Sequence, residues 1–155
     1  MFQVLTVQAS VVRLAAALAC VAATIIATNH ARAEPAKRAP AALTVELNRA
    51  LSAGANCRLA LVAHNGLAVA VKALTIEVVL FDKQRQVVSV LSVAAGEMPA
   101  GKTRVRQYDI KAVECASIGQ VLLNDVTRCD GQGLTPAACL KLVKPSSRTS
   151  IPFTF

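Results

Sequence analysis

The sequence predicts a mostly β domain: a sandwich of antiparallel sheets with one short helix near its C-terminus and two disulfides. Three observations lead there. From residue 43 onward apolar and polar residues alternate in short runs, the period of a half-buried strand. Gly, Pro, Asn and Asp punctuate those runs. Four cysteines stand in the same stretch, an even number that reads as a covalent framework in a short exported chain.

The elements follow in order. Leu43, Val45 and Leu47 alternate with Thr44, Glu46 and Asn48 in a first strand, and residues 52–56 (SAGAN) form a turn. Cys57, Leu59, Leu61 and Ala63 are the inward set of the second strand, with Arg58 and His64 outward and Asn65-Gly66 as its stop. Leu74, Ile76, Val78 and Leu80 are the inward set of the third, against Thr75, Glu77, Val79 and Phe81. A turn at 82–85 leads to a valine-rich fourth strand, 86–93, and a loop with Pro99 at 96–101. Residues 103–110 make a fifth strand with one strongly basic face, and 119–126 a sixth. Thr135 is placed to cap a short helix with Pro136 in its first position; residues 137–143 continue it and Pro145 stops it. Residues 151–155 close the chain as a seventh strand, which Pro152 assigns to an edge. Seven short strands at this spacing predict an Ig-like β-sandwich. The chain has no Trp and one Tyr, so its interior must be aliphatic, and the likeness to antibody domains is one of architecture.

Ahead of the domain, residues 14–28 (LAAALACVAATIIAT) are apolar but shorter than the ~20 residues a bilayer crossing needs. Arg13 before them and Ala31-Arg32-Ala33 after them complete a secretory signal, with cleavage expected after Ala33. The organisation is thus residues 1–33 as a cleavable signal peptide, 34–42 (EPAKRAPAA) as a flexible Ala/Pro linker, and 43–155 as the β-sandwich domain, in the periplasm. Three alternatives fit the residues less well. An uncleaved anchor has too short a run; a lipoprotein signal ending at Cys20 lacks Leu three residues earlier; a twin-arginine signal lacks an Arg beside Arg13. Removing the signal would take Arg13 and Arg32 with it and lower the net charge of +8 by two. The remaining basic charge suits an anionic partner or simple solubility, but it is scattered and lacks the interleaved aromatics of a nucleic-acid surface.

Cys20 would leave with the signal, and Cys57, Cys115, Cys129 and Cys139 can pair in three ways. The preferred pairing is Cys57 with Cys115 and Cys129 with Cys139, because the latter pair brackets a short segment containing Gly131, Gly133 and Pro136 that folds back easily. Their spacing is unlike the close Cys pairs of zinc sites, and His64 is the one histidine within the domain, so no metal or cofactor is expected.

Several stretches carry a resemblance. They are LTVELN at 43–48, Asn56-Cys57-Arg58, VLFD at 79–82, PAGKT at 99–103, IGQVLLNDV at 118–126 and Ser146-Ser147-Arg148. In this order they resemble an uncharacterised family of short exported proteins from alphaproteobacteria, over nearly all of residues 43–155. The resemblance implies a periplasmic protein with four paired cysteines and implies no activity. Some members look like twin-arginine substrates at the N-terminus, where this sequence departs toward the general secretion route.

Candidate sites are few. Arg104 and Arg106 alternate with Val105 and share a strand face with Tyr108, with Lys102 and Lys111 flanking them. Lys102, Arg104, Arg106 and Tyr108 therefore form a candidate strip for an anion or a partner; the plain reading is a solvated face that discourages edge pairing. Val62, Val79 and Phe81 lie opposite the inward sets and would make an apolar contact patch if they clustered. His64 with Asp109 or Asp125 and a Ser would compose a hydrolase triad, but no Gly-x-Ser-x-Gly elbow is present. Gly131-Gln132-Gly133 lacks the Lys of a phosphate loop and reads as a turn, and Asn124-Asp125 reads as backbone bonding at a strand end. The preferred expectation is a non-catalytic periplasmic binding or accessory module, meeting an envelope protein or an anionic envelope component. A small periplasmic hydrolase using His64 and a purely structural envelope protein are the alternatives.

Overall fold

Alternation becomes two four-stranded sheets in a computed structural model that describes residues 41–155. Eight strands run in the order β1 (Leu43–Ala53), β2 (Asn56–Asn65), β3 (Val71–Asp82), β4 (Val87–Ala94), β5 (Thr103–Ile110), β6 (Ile118–Gly131), β7 (Val143–Ser147) and β8 (Phe153–Thr154). A 3-10 turn, Cys115–Ser117, precedes β6, and helix α1, Pro136–Leu142, separates β6 from β7. One sheet has the order β5-β2-β1-β7 and the other β4-β3-β6-β8. The expected signal peptide and all but the last two residues of the expected linker lie outside the described residues.

The inward sets named from the period are the core. Leu43, Val45 and Leu47 of β1, Cys57, Leu59, Leu61 and Ala63 of β2, and Leu74, Ile76, Val78 and Leu80 of β3 are all buried. Val121, Leu123 and Val126 of β6 and Phe153 of β8 complete the second layer. Each buried aliphatic side chain of this size stabilises the fold by roughly 1.5–3 kcal/mol relative to exposure. β1 and β2 form a hairpin closed at Gly54, which takes a left-handed φ of 62° that only Gly adopts without strain.

Two disulfides staple the sandwich, Cys57–Cys115 and Cys129–Cys139. The first ties β2 in one sheet to the 3-10 turn that leads into β6 of the other. The second ties the end of β6 to α1, whose buried residue is Cys139 and whose first turn is capped by the Thr135 side chain accepting from the Ala138 N–H.

Five expectations need correction. The strands number eight, because the helix ends at Leu142 and residues 143–147 turn into β7. Pro145 does not stop a helix there. It sits in an edge strand, where its missing N–H costs no ladder bond on the open side. Nor is the sandwich wholly antiparallel: β7 pairs parallel with β1, and β8 pairs parallel with β6. The terminal strand is only two residues long, though it is at an edge as Pro152 suggested. Finally, Asn124 and Asp125 are inside β6 rather than at its end. The β3–β6 register slips there, the Asn124 amide donates to Glu77 Oε1 (2.6 Å) and Asp125 Oδ1 accepts the Val126 N–H (2.7 Å).

Among the described residues one polar side chain is buried in the core, Asn65, fully enclosed at the end of β2. Its Nδ2 donates to the Val69 and Met98 carbonyls (both 2.9 Å) and its Oδ1 accepts the Leu67 N–H (3.0 Å). Its backbone binds Lys102 and Gly101. One side chain therefore joins the β2–β3 crossover to the β4–β5 crossover, and every buried side-chain polar atom among the described residues has a partner.

Candidate functional site

The basic residues of β5 face inward. Arg104, Arg106 and Tyr108 stand opposite Ala63, Leu61 and Leu59 in the β2–β5 ladder, so they share the inward face of their sheet. β5 is an edge strand, and its inner face looks across the open side of the sandwich toward the end of β4, the edge of the other sheet. Arg104 Nε donates to the Glu97 carbonyl (3.0 Å), and the Tyr108 hydroxyl donates to the Ala94 carbonyl (3.2 Å). Arg106 lies against Gly96 and over a gap lined by Val45, Leu61, Ile76 and Val93. That gap encloses about 10 Å³, the lower limit for a single water, so it is a packing seam and not a ligand chamber. Within the strip Lys102 and Arg106 are exposed, while Arg104 and Tyr108 are half-buried. Tyr108 latches the edges of the two sheets together, Arg104 ties β5 to the loop after β4, and Lys102 in the preceding loop stays exposed apart from them. Burial raises the Tyr108 pKa, against smaller opposing effects of the Ala94 bond and of Arg106.

The outer face of that sheet is polar. Arg58 makes two bonds to the Asp109 carboxylate (2.6 and 2.8 Å), and the pair lowers the Asp109 pKa. Glu46 accepts from the Asn48 amide and from Arg148 Nε, and those two bonds lower its pKa in that order of weight. His64 Nδ1 lies 3.0 Å from the Thr103 hydroxyl, at the opposite end of the β2–β5 ladder from Asp109. Asp125 belongs to the other sheet. The proposed triad members are thus not brought together. Among the described residues no group of three His, Cys, Asp or Glu side chains is placed to hold a metal.

The apolar patch also divides. Val62 is on the outer face of the first sheet, opposite Val105, while Val79 and Phe81 are on the outer face of the second. There Val90, Val79 and Leu122 form one row across β4, β3 and β6, with Val87 opposite Phe81 beside them. The row runs out to an edge the sequence reading missed. In β4, Val87 is 58%, Val88 38% and Val90 56% exposed. Its whole run, VVSVLSVA, carries no charge.

The other three edges are guarded. β5 carries Arg104, Arg106 and Asp109; β7 carries Lys144 and Pro145; β8 is two residues long behind Pro152. Even β4 is closed at one end, because Tyr108 occupies the Ala94 carbonyl. The Ala95 N–H bonds Leu74 of β3, so by alternation the backbone groups of Val93, Leu91 and Ser89 face β3 and those of Val90 and Ser92 face outward. The bare segment is therefore Val87 to Ser92. A valine-rich run reads as a buried strand from sequence, and only the sheet order shows that it is an edge.

No protein-family model matches the chain, and no curated protein does. A solved structure of IrmA from Escherichia coli is similar in fold, with a TM-score of 0.52 at 15% identity, covering 68% of this chain and 91% of that one. At that identity the likeness concerns the fold alone. The paired cysteines fit an oxidising environment, and no helix among the described residues is long and apolar enough to cross a membrane.

Proposed function

We propose that this chain is a non-catalytic binding or accessory module of the cell envelope, exported through a cleavable signal to the periplasm, that acts by contact through the free edge of β4. The single observation that carries this is the uncharged Val87–Ser92 segment, exposed on a scaffold whose other edges are each blunted. Strand addition at such an edge supplies affinity through backbone bonds and selectivity through the flanking side chains, here the Val90–Val79–Leu122 row. The periplasmic address is supported by the two disulfides and by the pattern of residues 14–33. The Ig-like character is supported by connectivity: β1, β2 and β5 share one sheet while β3, β4 and β6 share the other. Lys102 and Arg106 remain exposed and are the part of the basic strip that an anionic envelope component could reach.

The test is a photoreactive residue placed at Val90 in intact cells, with Leu51, exposed on the other sheet, as the control position. Adducts are expected from position 90 and not from 51. Equal adducts at both positions, or none at 90, would remove the β4 edge from consideration.

A further inference from the structure

We propose that the strand that fills the β4 edge is β4 of a second copy, paired antiparallel about Val90, so that the protein is a symmetric dimer. This rests on reading the β4 edge as the contact surface, and it names the occupant.

Antiparallel self-pairing centred on Val90 opposes Val90 to Val90, Val88 to Ser92 and Ser92 to Val88 of the copy. Val90 points its backbone groups outward, so the Val90–Val90 pair exchanges two bonds that neither chain satisfies alone; Ser92 also faces outward, toward Val88 of the copy, where the β3–β4 register slips. The chemistry flanking β4 favours this direction. Lys83 and Arg85 precede the strand and Glu97 follows it. Antiparallel pairing about Val90 brings Lys83 of one copy toward Glu97 of the other, whereas parallel pairing would set Lys83 and Arg85 beside their own duplicates. On the outer face the two Val90–Val79–Leu122 rows would join into one apolar band across six strands. The latch limits the contact: Tyr108 holds the Ala94 carbonyl, so a partner strand can occupy Val87–Ser92 and no more.

The same geometry explains why association stops at two. Two-fold pairing of identical edges consumes both bare segments, and β5, β7 and β8 offer guarded edges to any third molecule.

The experiment is light scattering on the purified protein across a concentration series, for wild type and Val90→Lys, with circular dichroism to show that the variant is folded. A dimer is expected for wild type, and V90K should raise its dissociation constant at least tenfold. In parallel, Val90→Cys and Leu51→Cys proteins are treated with a short bifunctional thiol reagent. Efficient dimer formation is expected at position 90 and not at 51, and this arm decides alone if V90K fails to fold. A wild type that stays monomeric at every concentration, or a dimer unmoved by V90K and not linked through position 90, overturns the proposal. If a monomer still gives photoadducts with another protein at position 90, the second copy is excluded and the contact reading stands; if neither appears, both fall.

Discussion

The hydroxyl of Tyr108 on β5 donates to the carbonyl of Ala94 on β4, 3.2 Å away, and these strands are edges of different sheets. The bond is a cross-sheet latch. Tyr108→Phe keeps the ring and removes the latch, and should cost about 1 kcal/mol, measured by denaturant unfolding. Burial also holds the Tyr108 pKa above its ordinary value. A raised pKa means that this contribution is whole below about pH 10 and is lost as pH rises from there through the folded-state value. Wild type should therefore lose stability on the alkaline side of pH 10, and Y108F should lose less.

Asn65 offers the larger effect. Asn65→Ala would leave the Leu67 N–H and the half-buried Val69 carbonyl without their partner, while the Met98 carbonyl would keep the Val71 N–H. With roughly 1–3 kcal/mol for each buried unsatisfied group, softened by relaxation, the loss should be about 3 kcal/mol. Loss of under 1 kcal/mol in thermal or chemical unfolding would mean that the two crossovers hold each other without it.

Acid should act through Asp109 and Glu46. Arg58 depresses the first; the Asn48 amide, then Arg148, depress the second. Depressed carboxyls contribute stability that is whole above about pH 4.3 and is lost as pH falls through their folded-state values. Asp109→Asn and Glu46→Gln should each flatten the acid limb of a melting temperature against pH curve, most visibly at low salt, because both groups are near the surface.

The disulfides should separate by loop length. The cysteines of one pair are 58 residues apart in sequence and those of the other 10. On the chain-entropy account the long closure contributes roughly 4 kcal/mol and the short one roughly 3. Paired Ser variants, C57S/C115S and C129S/C139S, should unfold in that order of loss, and peptide mapping without reductant should recover the two linkages.

Much of this architecture was legible in the residues. Period two found the inward faces of β1, β2 and β3 because each has one wet side, and the short Cys129–Cys139 segment made the pairing readable. Alternation failed where it is silent. It says that Arg104, Arg106 and Tyr108 share a face but not which face, and Leu59, Leu61 and Ala63 opposite them settle it. It is equally silent on the valines of β4, since strand composition reports β preference and not position in a sheet. Pro145 misled because an edge strand tolerates proline as well as a helix end does. The candidate site was the least legible part, because an open edge is a property of sheet order.

β1 near the start of the domain receives β7 as its parallel neighbour, Leu43 beside Val143 through Leu47 beside Ser147. A polypeptide appearing N-terminus first therefore cannot complete that sheet until position 147 has emerged. Until then β1 has only its hairpin partner, and the chain must stay loose enough to accept its last tenth. Such delayed closure sets the burden on whatever shields the unfinished apolar face in the meantime.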